Sequence, residues 1–393
     1  MGPLEGIRVL DLSRMIAGGT AGMLLADYGA DVVKVEQPGT GDPLRRWTIN
    51  GEAFWWKVYG RNKRFITLDL NTPDGHDLMR RLVPAFDVVM ESFVPGTLER
   101  MGLGWDTLRG WHPGVIFVRI SGWGQTGPGS QRPGFGTLIE AASGLAAMTG
   151  EAGGPPNLPA FPLADMTAAL YATQAIAVAL YHRDVRGGGG QVIDVSLFES
   201  LFSILGPLPA EFAATGRIRE GTGGRSSNSG PRACYLTADG RWLAVSASTP
   251  KTAERFLAAF GLAHLLDDAR FASNEARVSH ATELNDLVAA AMASRSMAAI
   301  MEVVDREQLT AGPVQTIADI EHDPHWLARE LTVNVASNGH AVRMHNLVPR
   351  FSETQGRIRS AGGQPGADNQ AVYCEELGLS RDDLRRLQAA GIV

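Results

Sequence analysis

Short apolar, β-branched runs recur through the first two hundred residues. They are Ile7-Arg8-Val9-Leu10, Val32-Val33-Lys34-Val35, Phe65-Ile66-Thr67-Leu68, Val88-Val89-Met90 and Val115-Ile116-Phe117-Val118. Stretches with helical period, such as residues 22–28 and 75–85, lie between them. This alternation predicts βαβ units around a buried parallel sheet. Ligands on such sheets sit at the carboxyl ends of the strands.

Farther along, residues 138–148 and 165–184 read as two longer helices. The run Gly187-Gly188-Gly189-Gly190 then breaks the chain before a strand at 192–195. Asp239-Gly240 between two apolar runs is a two-residue hairpin signal, and Asn338-Gly339 marks a second hairpin. Residues 251–305 read as helices. Ser380 followed by Arg381-Asp382-Asp383 reads as an N-cap with an acidic first turn.

Composition narrows the classes. At ~150 residues per domain, 393 residues suggest two or three domains. With 36 Lys+Arg against 42 Asp+Glu and no basic block, the chain does not suit nucleic acid or an anionic membrane surface. Two cysteines, Cys234 and Cys374, build neither a disulfide framework nor a zinc site, which fits a reducing cytoplasm. Glu5, Arg8, Asp11 and Arg14 interrupt any signal-peptide core. The most apolar helix candidate, 168–180, falls short of the ~20 residues of a membrane span. Glycine stands out, with 46 residues, well above the usual ~7%.

Several catalytic signatures are missing. Ala17-Gly18-Gly19-Thr20-Ala21-Gly22 follows the first strand but lacks the G-x-G-x-x-G spacing of a dinucleotide loop. There is no Walker A loop and no G-x-S-x-G elbow. His322 and His325 could share a helix face, but no third metal ligand accompanies them. Asp74, Glu99 and Glu140 read as surface or cap carboxylates. Asp165 is better placed: it ends Phe161-Pro162-Leu163-Ala164 and begins a long apolar helix. It can be read as an ordinary N-cap. It can also be read as an oriented carboxylate, kept ionised by the helix terminus and able to act as a covalent nucleophile.

Ordered segments over nearly the whole chain resemble the family III CoA-transferases. They include Pro3-Leu4-Glu5-Gly6-Ile7-Arg8-Val9-Leu10-Asp11-Leu12-Ser13, Gly29-Ala30-Asp31-Val32-Val33-Lys34-Val35-Glu36 and Glu91-Ser92-Phe93-Val94-Pro95-Gly96. Arg100-Met101-Gly102, Arg132-Pro133-Gly134-Phe135, Leu163-Ala164-Asp165-Met166 and Gly190-Gln191-Val192-Ile193-Asp194-Val195 continue the set. The resemblance implies an α/β fold with a large Rossmann-like parallel-sheet domain and a smaller α+β domain. The large domain would be discontinuous, 1–200 and 326–393. A linker with a glycine-rich loop would occupy 201–225 and the small domain 226–325. Two subunits would form an interlocked homodimer.

It also implies CoA transfer from an acyl-CoA donor to a small carboxylic or dicarboxylic acid, with CoA as substrate and no permanently bound cofactor or metal. Asp165 would be the nucleophile, passing through a mixed anhydride and an aspartyl-CoA thioester. Ile16 and Ala17 would meet CoA through backbone, and Leu68, Phe93, Arg100 and Met101 would line its path. Arg132 and Phe135 complete the implied cofactor set, and Arg100 is the implied phosphate contact. On residues alone, Arg100 can equally be a surface ion pair with Glu99 or Asp106. Gln37, Asn71 and Ser92 replace polar or basic family residues, so Lys63, Arg45 and Arg46 are the fallback cations. Gly221, Gly223 and Gly224 match a mobile loop that would keep water from the intermediates; a plain inter-domain connector is the other reading.

Three rivals stay open. An α-methylacyl-CoA racemase of the same fold would need a second acid–base group, and no histidine lies between His112 and His182. A dinucleotide dehydrogenase would need the missing glycine fingerprint. A catalytically silent CoA-binding subunit would not need Asp165.

Overall fold

The computed structural model describes residues 2–337 and 339–393. These divide into two compact units. The first comprises residues 1–145, 158–207 and 330–393, and the second 146–157 and 208–329. Residues 201–225, read above as a linker, include the helix Leu208–Thr215.

In the first unit six parallel strands form one sheet: β1 (Arg8–Asp11), β2 (Asp31–Glu36), β3 (Arg64–Thr67), β4 (Val88–Glu91), β5 (Ile116–Ser121) and β6 (Val192–Ser196), in the order β3-β2-β1-β4-β5-β6. The predicted runs are these strands. Their neighbouring residues enter opposite cores. Leu10, Val33, Val89 and Phe117 pack on one face, while Val9, Val32, Val88 and Ile116 pack on the other. Period-two side chains explain why both must be apolar. The chain winds outward from β1 to β3, then returns to β4 on the other side. The gap between the ends of β1 and β4 is therefore the switch point where α/β sheets bind ligands.

Helix α1 (Ala17–Asp27) starts five residues earlier than its periodicity suggested and absorbs the whole Ala17–Gly22 glycine run. Packing is the reason. A Cβ at Gly18 would overlap the Ser13 side chain, and one at Gly22 would come within 2.8 Å of Lys63 Nζ and 2.9 Å of Asp11 Oδ2. Close approach outweighs the helix cost of glycine, ~1 kcal/mol per residue. The predicted 138–148 helix is two, α2 (Gly136–Ala142) and a short turn at Leu145–Met148, broken at Gly144 with φ of +93°.

Helix α3 spans Leu163–Arg186, 24 residues, two residues longer at each end than the predicted 165–184. With a mean hydropathy of 1.4 it is long and apolar enough to cross a membrane. One side of it, with Ala164, Ala168, Ala172 and Ile176, is nevertheless buried against the sheet side that holds α1. A hairpin of β10 (Thr332–Ser337) and β11 (His340–His345) also belongs to this unit. Its predicted turn residue Asn338 lies outside the described residues.

The second unit holds an antiparallel sheet of β7 (Arg232–Leu236), β8 (Trp242–Ser246) and β9 (Ala311–Pro313) packed with helices from 250 to 307. The Asp239-Gly240 turn is longer than the two residues predicted. The Thr237 amide donates to the Arg241 carbonyl, and the Asp239 carboxylate accepts from Thr237 and from the Met297 amide. Asp239 thus anchors the turn to a helix and cannot serve a tight two-residue loop. His322 and His325 lie on separate short helices, Ile317–His322 and Pro324–Ala328, so they share no helix face. No metal-ligand cluster exists among the described residues.

Buried ion pairs lock α1 to its surroundings. Arg61, 1% exposed, grips Asp27 at 2.6 Å, and Asn62 donates to the same carboxylate at 2.8 Å. Burial pushes the Asp27 carboxyl up while Arg61 and Asn62 pull it down. Removing one partner strands a buried charge. Asp27→Ala should therefore cost about 3–5 kcal/mol of stability, read as a lowered urea midpoint; an unchanged midpoint would show that Arg61 finds solvent instead.

Candidate active site

Asp165 is the third residue of α3, within its first turn rather than at its cap. Pro162 occupies the N-cap position and makes no side-chain cap. The cap is supplied from elsewhere: Glu140 Oε1 accepts the Ala164 amide at 3.2 Å. Glu140 is 3% exposed, not a surface carboxylate. Asp74 does sit at a helix start, in the first turn after Thr72, and Glu99 is spent on Arg119 at 2.6 Å.

The electrostatics of Asp165 reverse the expectation from helix position alone. Burial, followed by the nearby Glu140 charge, pushes its carboxyl up to about 6. Its own amide and that of Ala17 favour the charged form but do not win. Desolvation with a like charge outweighs the terminal dipole, which acts through partial charges only. The other side of the carboxylate is equally confined, because a Cβ at Gly136 would overlap Oδ2. Only glycine leaves room there.

Asp165 opens into a cavity of about 450 Å³ at the switch point. Ala17, Phe93, Arg132 and Phe135 line it with Asp165, as do Arg14 and Ser92. A narrower cleft adjoins along Leu12, Gln37, Leu68, Asn71 and Met101, sharing Arg14 and Phe93 with the cavity. The Arg14 guanidinium lies over the Phe93 ring, 4.9 Å from its centre. Ser92 ties the two strand ends together by accepting the Arg14 amide at 2.9 Å.

Two expected cofactor residues line neither space. Ile16, 3% exposed, packs in the core with Leu44, Trp56 and Phe65. Arg100 lies exposed beyond the cleft and donates to Thr97 Oγ1 at 2.9 Å. Among the described residues it forms an ion pair with neither Glu99 nor Asp106, and Glu99 is held by Arg119. Of the fallback cations, Lys63 is consumed by Asp11 at 3.0 Å and the Gly19 carbonyl. Arg45 clasps Glu36 at 2.6 Å, and Arg46 is exposed. Gly221, Gly223 and Gly224 belong to the second unit. There the Gly223 amide donates to the Gly150 carbonyl at 2.6 Å.

Sequence reasoning missed Arg14 and Glu140. Arg14 follows the first strand directly, at a carboxyl end, which was a usable signal. Glu140 left a fainter one: it stands four residues after Gly136, on the same helical face.

No histidine lines the cavity among the described residues, and the glycine run after β1 is helix rather than a dinucleotide loop. The switch point of the Rossmann-like sheet thus presents a confined carboxylate in place of a dinucleotide loop. Residues 4–369 match the family described as CoA-transferase family III, and the chain belongs to that family. Succinyl-CoA–D-citramalate CoA-transferase of Chloroflexus aurantiacus is 40% identical over 100% of this chain and 98% of its own. Succinate–glutarate CoA-transferase of Agrobacterium fabrum is 35% identical over 85% of each. The crystal structure of a CAIB/BAIF family protein from Brucella suis superposes with a TM-score of 0.83 and 31% identity, covering 95% of this chain and 99% of that one. The chain is a CoA-transferase acting on CoA thioesters.

Gly136→Ala should displace the Asp165 carboxylate without unfolding α2, since alanine favours helix. Transfer should fall ~10²-fold, the scale of a 1 Å misplacement, with an unchanged thermal midpoint. Full activity would show that Asp165 reacts from another position.

Proposed function

We propose that the enzyme moves CoA between a dicarboxylic acyl-CoA and a free dicarboxylic acid, with Asp165 as covalent nucleophile. The observation that carries this reading is the Asp165 carboxylate, confined at the switch point where the cavity meets a second cleft. The diacid class rests on the relatives, whose names pair succinate with citramalate or glutarate.

The steps balance without metal or nucleotide. An Asp165 oxygen attacks the thioester carbonyl, the C–S bond breaks, and CoA leaves as thiolate. The thiolate attacks the Asp165 carbonyl of the mixed anhydride. The bond between the Asp165 carbonyl carbon and the bridging oxygen breaks, the donor acid departs as carboxylate with that oxygen, and an aspartyl-CoA thioester remains. The acceptor carboxylate then runs both steps in reverse. Each intermediate is an activated acyl group, so dryness around Asp165 protects it from hydrolysis.

The narrower cleft, with Leu68, Phe93 and Met101, is assigned to CoA, its thiol end reaching past Phe93 toward Asp165. Arg14 is the cation best placed along that route, since a guanidinium matches phosphate and carboxylate alike. We further assign an interlocked homodimer, as the family resemblance implies. Support comes from the outer face of α3, where Leu170, Val178, Tyr181 and Val185 stand more than half exposed. Apolar area of that kind is normally covered by a partner. A reducing, cytoplasmic setting agrees with two cysteines that are both free thiols. A racemase reading would need a second base, and among the described residues no histidine, lysine or further carboxylate lines the cavity.

Asp165→Ala should abolish transfer while leaving the fold intact; near-normal turnover would remove Asp165 from the mechanism. Incubation with acyl-CoA followed by hydroxylamine should label the peptide carrying Asp165, as read by mass spectrometry. A label elsewhere would identify another nucleophile.

The pH dependence has a definite sign. Attack needs the carboxylate, and the Asp165 carboxyl is pushed up to about 6. Hence kcat/KM should be flat above neutrality and fall about tenfold per pH unit below 6. An acid limb in the ordinary carboxylate range would show that the free enzyme hydrates Asp165.

A further inference from the structure

Glu140 is a buried charged group that the transfer steps do not use. It lies on α2 one helical turn beyond Gly136, and residues at that spacing share a face. A Cβ at Gly136 would overlap Asp165 Oδ2, so this is the face that looks at the nucleophile. The Glu140 carboxylate accepts the Ala164 amide, the residue directly before Asp165. Among the described residues no lysine, arginine or histidine forms an ion pair with it, although it is 3% exposed. Two carboxylates therefore share a dry site with only amide donors to compensate them. Like charges at low dielectric repel strongly.

Resting on the assignment of Asp165 as nucleophile, we propose that Glu140 is a positioning residue. It aims Asp165 through the start of α3 and raises the energy of its ionised carboxylate, a like charge set close to the nucleophile. The charged surroundings of Asp165 are few. Helix α2 contributes Glu140, α1 contributes only the Ala17 amide, and the cavity wall carries Arg14 and Arg132. Any proton on Asp165 in acid leaves to solvent before attack, so no proton enters the bond changes. When Asp165 is acylated its negative charge disappears, and the repulsion from Glu140 disappears with it. That relief is available only along the reaction, which is the requirement for a catalytic gain.

Glu140→Gln removes the charge and keeps the acceptor for Ala164. Glu140→Met removes both while filling the space. If the charge tunes Asp165, the acid limb of kcat/KM should move down by about one pH unit in both variants, the scale of coupling in carboxylate dyads. In the Gln variant kcat should fall while KM for acyl-CoA holds. If either variant is poorly folded, the other carries the test. An acid limb that stays in place while rate alone drops would reduce Glu140 to a helix cap and overturn the proposal. Hydroxylamine capture is run in parallel on wild type and Glu140→Gln. A label away from Asp165 in wild type refutes the nucleophile. A label on Asp165 with an unmoved limb refutes only the role of Glu140.

Discussion

A carboxylate that attacks a thioester has to be dry, yet it has to carry its charge. Those demands conflict, because burial favours the neutral acid. The arrangement around Asp165 resolves the conflict with partial charges rather than a cation. Amides from its own helix and from Ala17 support the ionised form, while burial and Glu140 hold it near the edge of protonation. A lysine or arginine at the same place would have kept the carboxylate ionised and made it a poorer nucleophile. The site thus keeps its cations, Arg14 and Arg132, on the cavity wall.

That balance depends on three helix starts being brought together. α1 contributes Ala17, α2 contributes Gly136 and Glu140, and α3 contributes Asp165 itself. The parallel sheet makes this possible, since every strand ends on the same side and its connection begins there. Ser92 and Arg14 join the ends of β1 and β4. Beneath them Lys34 reaches Asp42 at 3.4 Å and the Ser13 carbonyl, and Asp42 accepts the Met15 amide at 3.3 Å. Met15 has φ of +63°, a conformation that costs a non-glycine residue energy. The buried ions hold that turn, and the turn delivers Ala17 to the site. Stability and catalysis share one network here.

The strands were legible because a sheet covered on both faces demands unbroken apolar runs, and five of the six announced themselves that way. Helix boundaries were less legible. The Ala17–Gly22 run looks like a loop by composition, yet packing against Ser13, Asp11 and Lys63 makes it helical. Asp165 could be picked out beside a helix start, but its protonation balance could not be read there. A partner twenty-five positions earlier in the chain sets that balance. Glu140 was read as a surface or cap carboxylate for the same reason: its neighbours in sequence say nothing of Asp165.

By itself the sequence determined the α/β class, the parallel strands, the candidate nucleophile and, through ordered motifs along its length, the family resemblance. Such features rest on local periodicity and residue type, which short windows contain. Only the tertiary structure decided which cations were already spent, which glycines answer to packing and which acid faces Asp165. Those outcomes depend on distances between residues far apart in the chain, where burial strengthens each charge and no local pattern records the pairing.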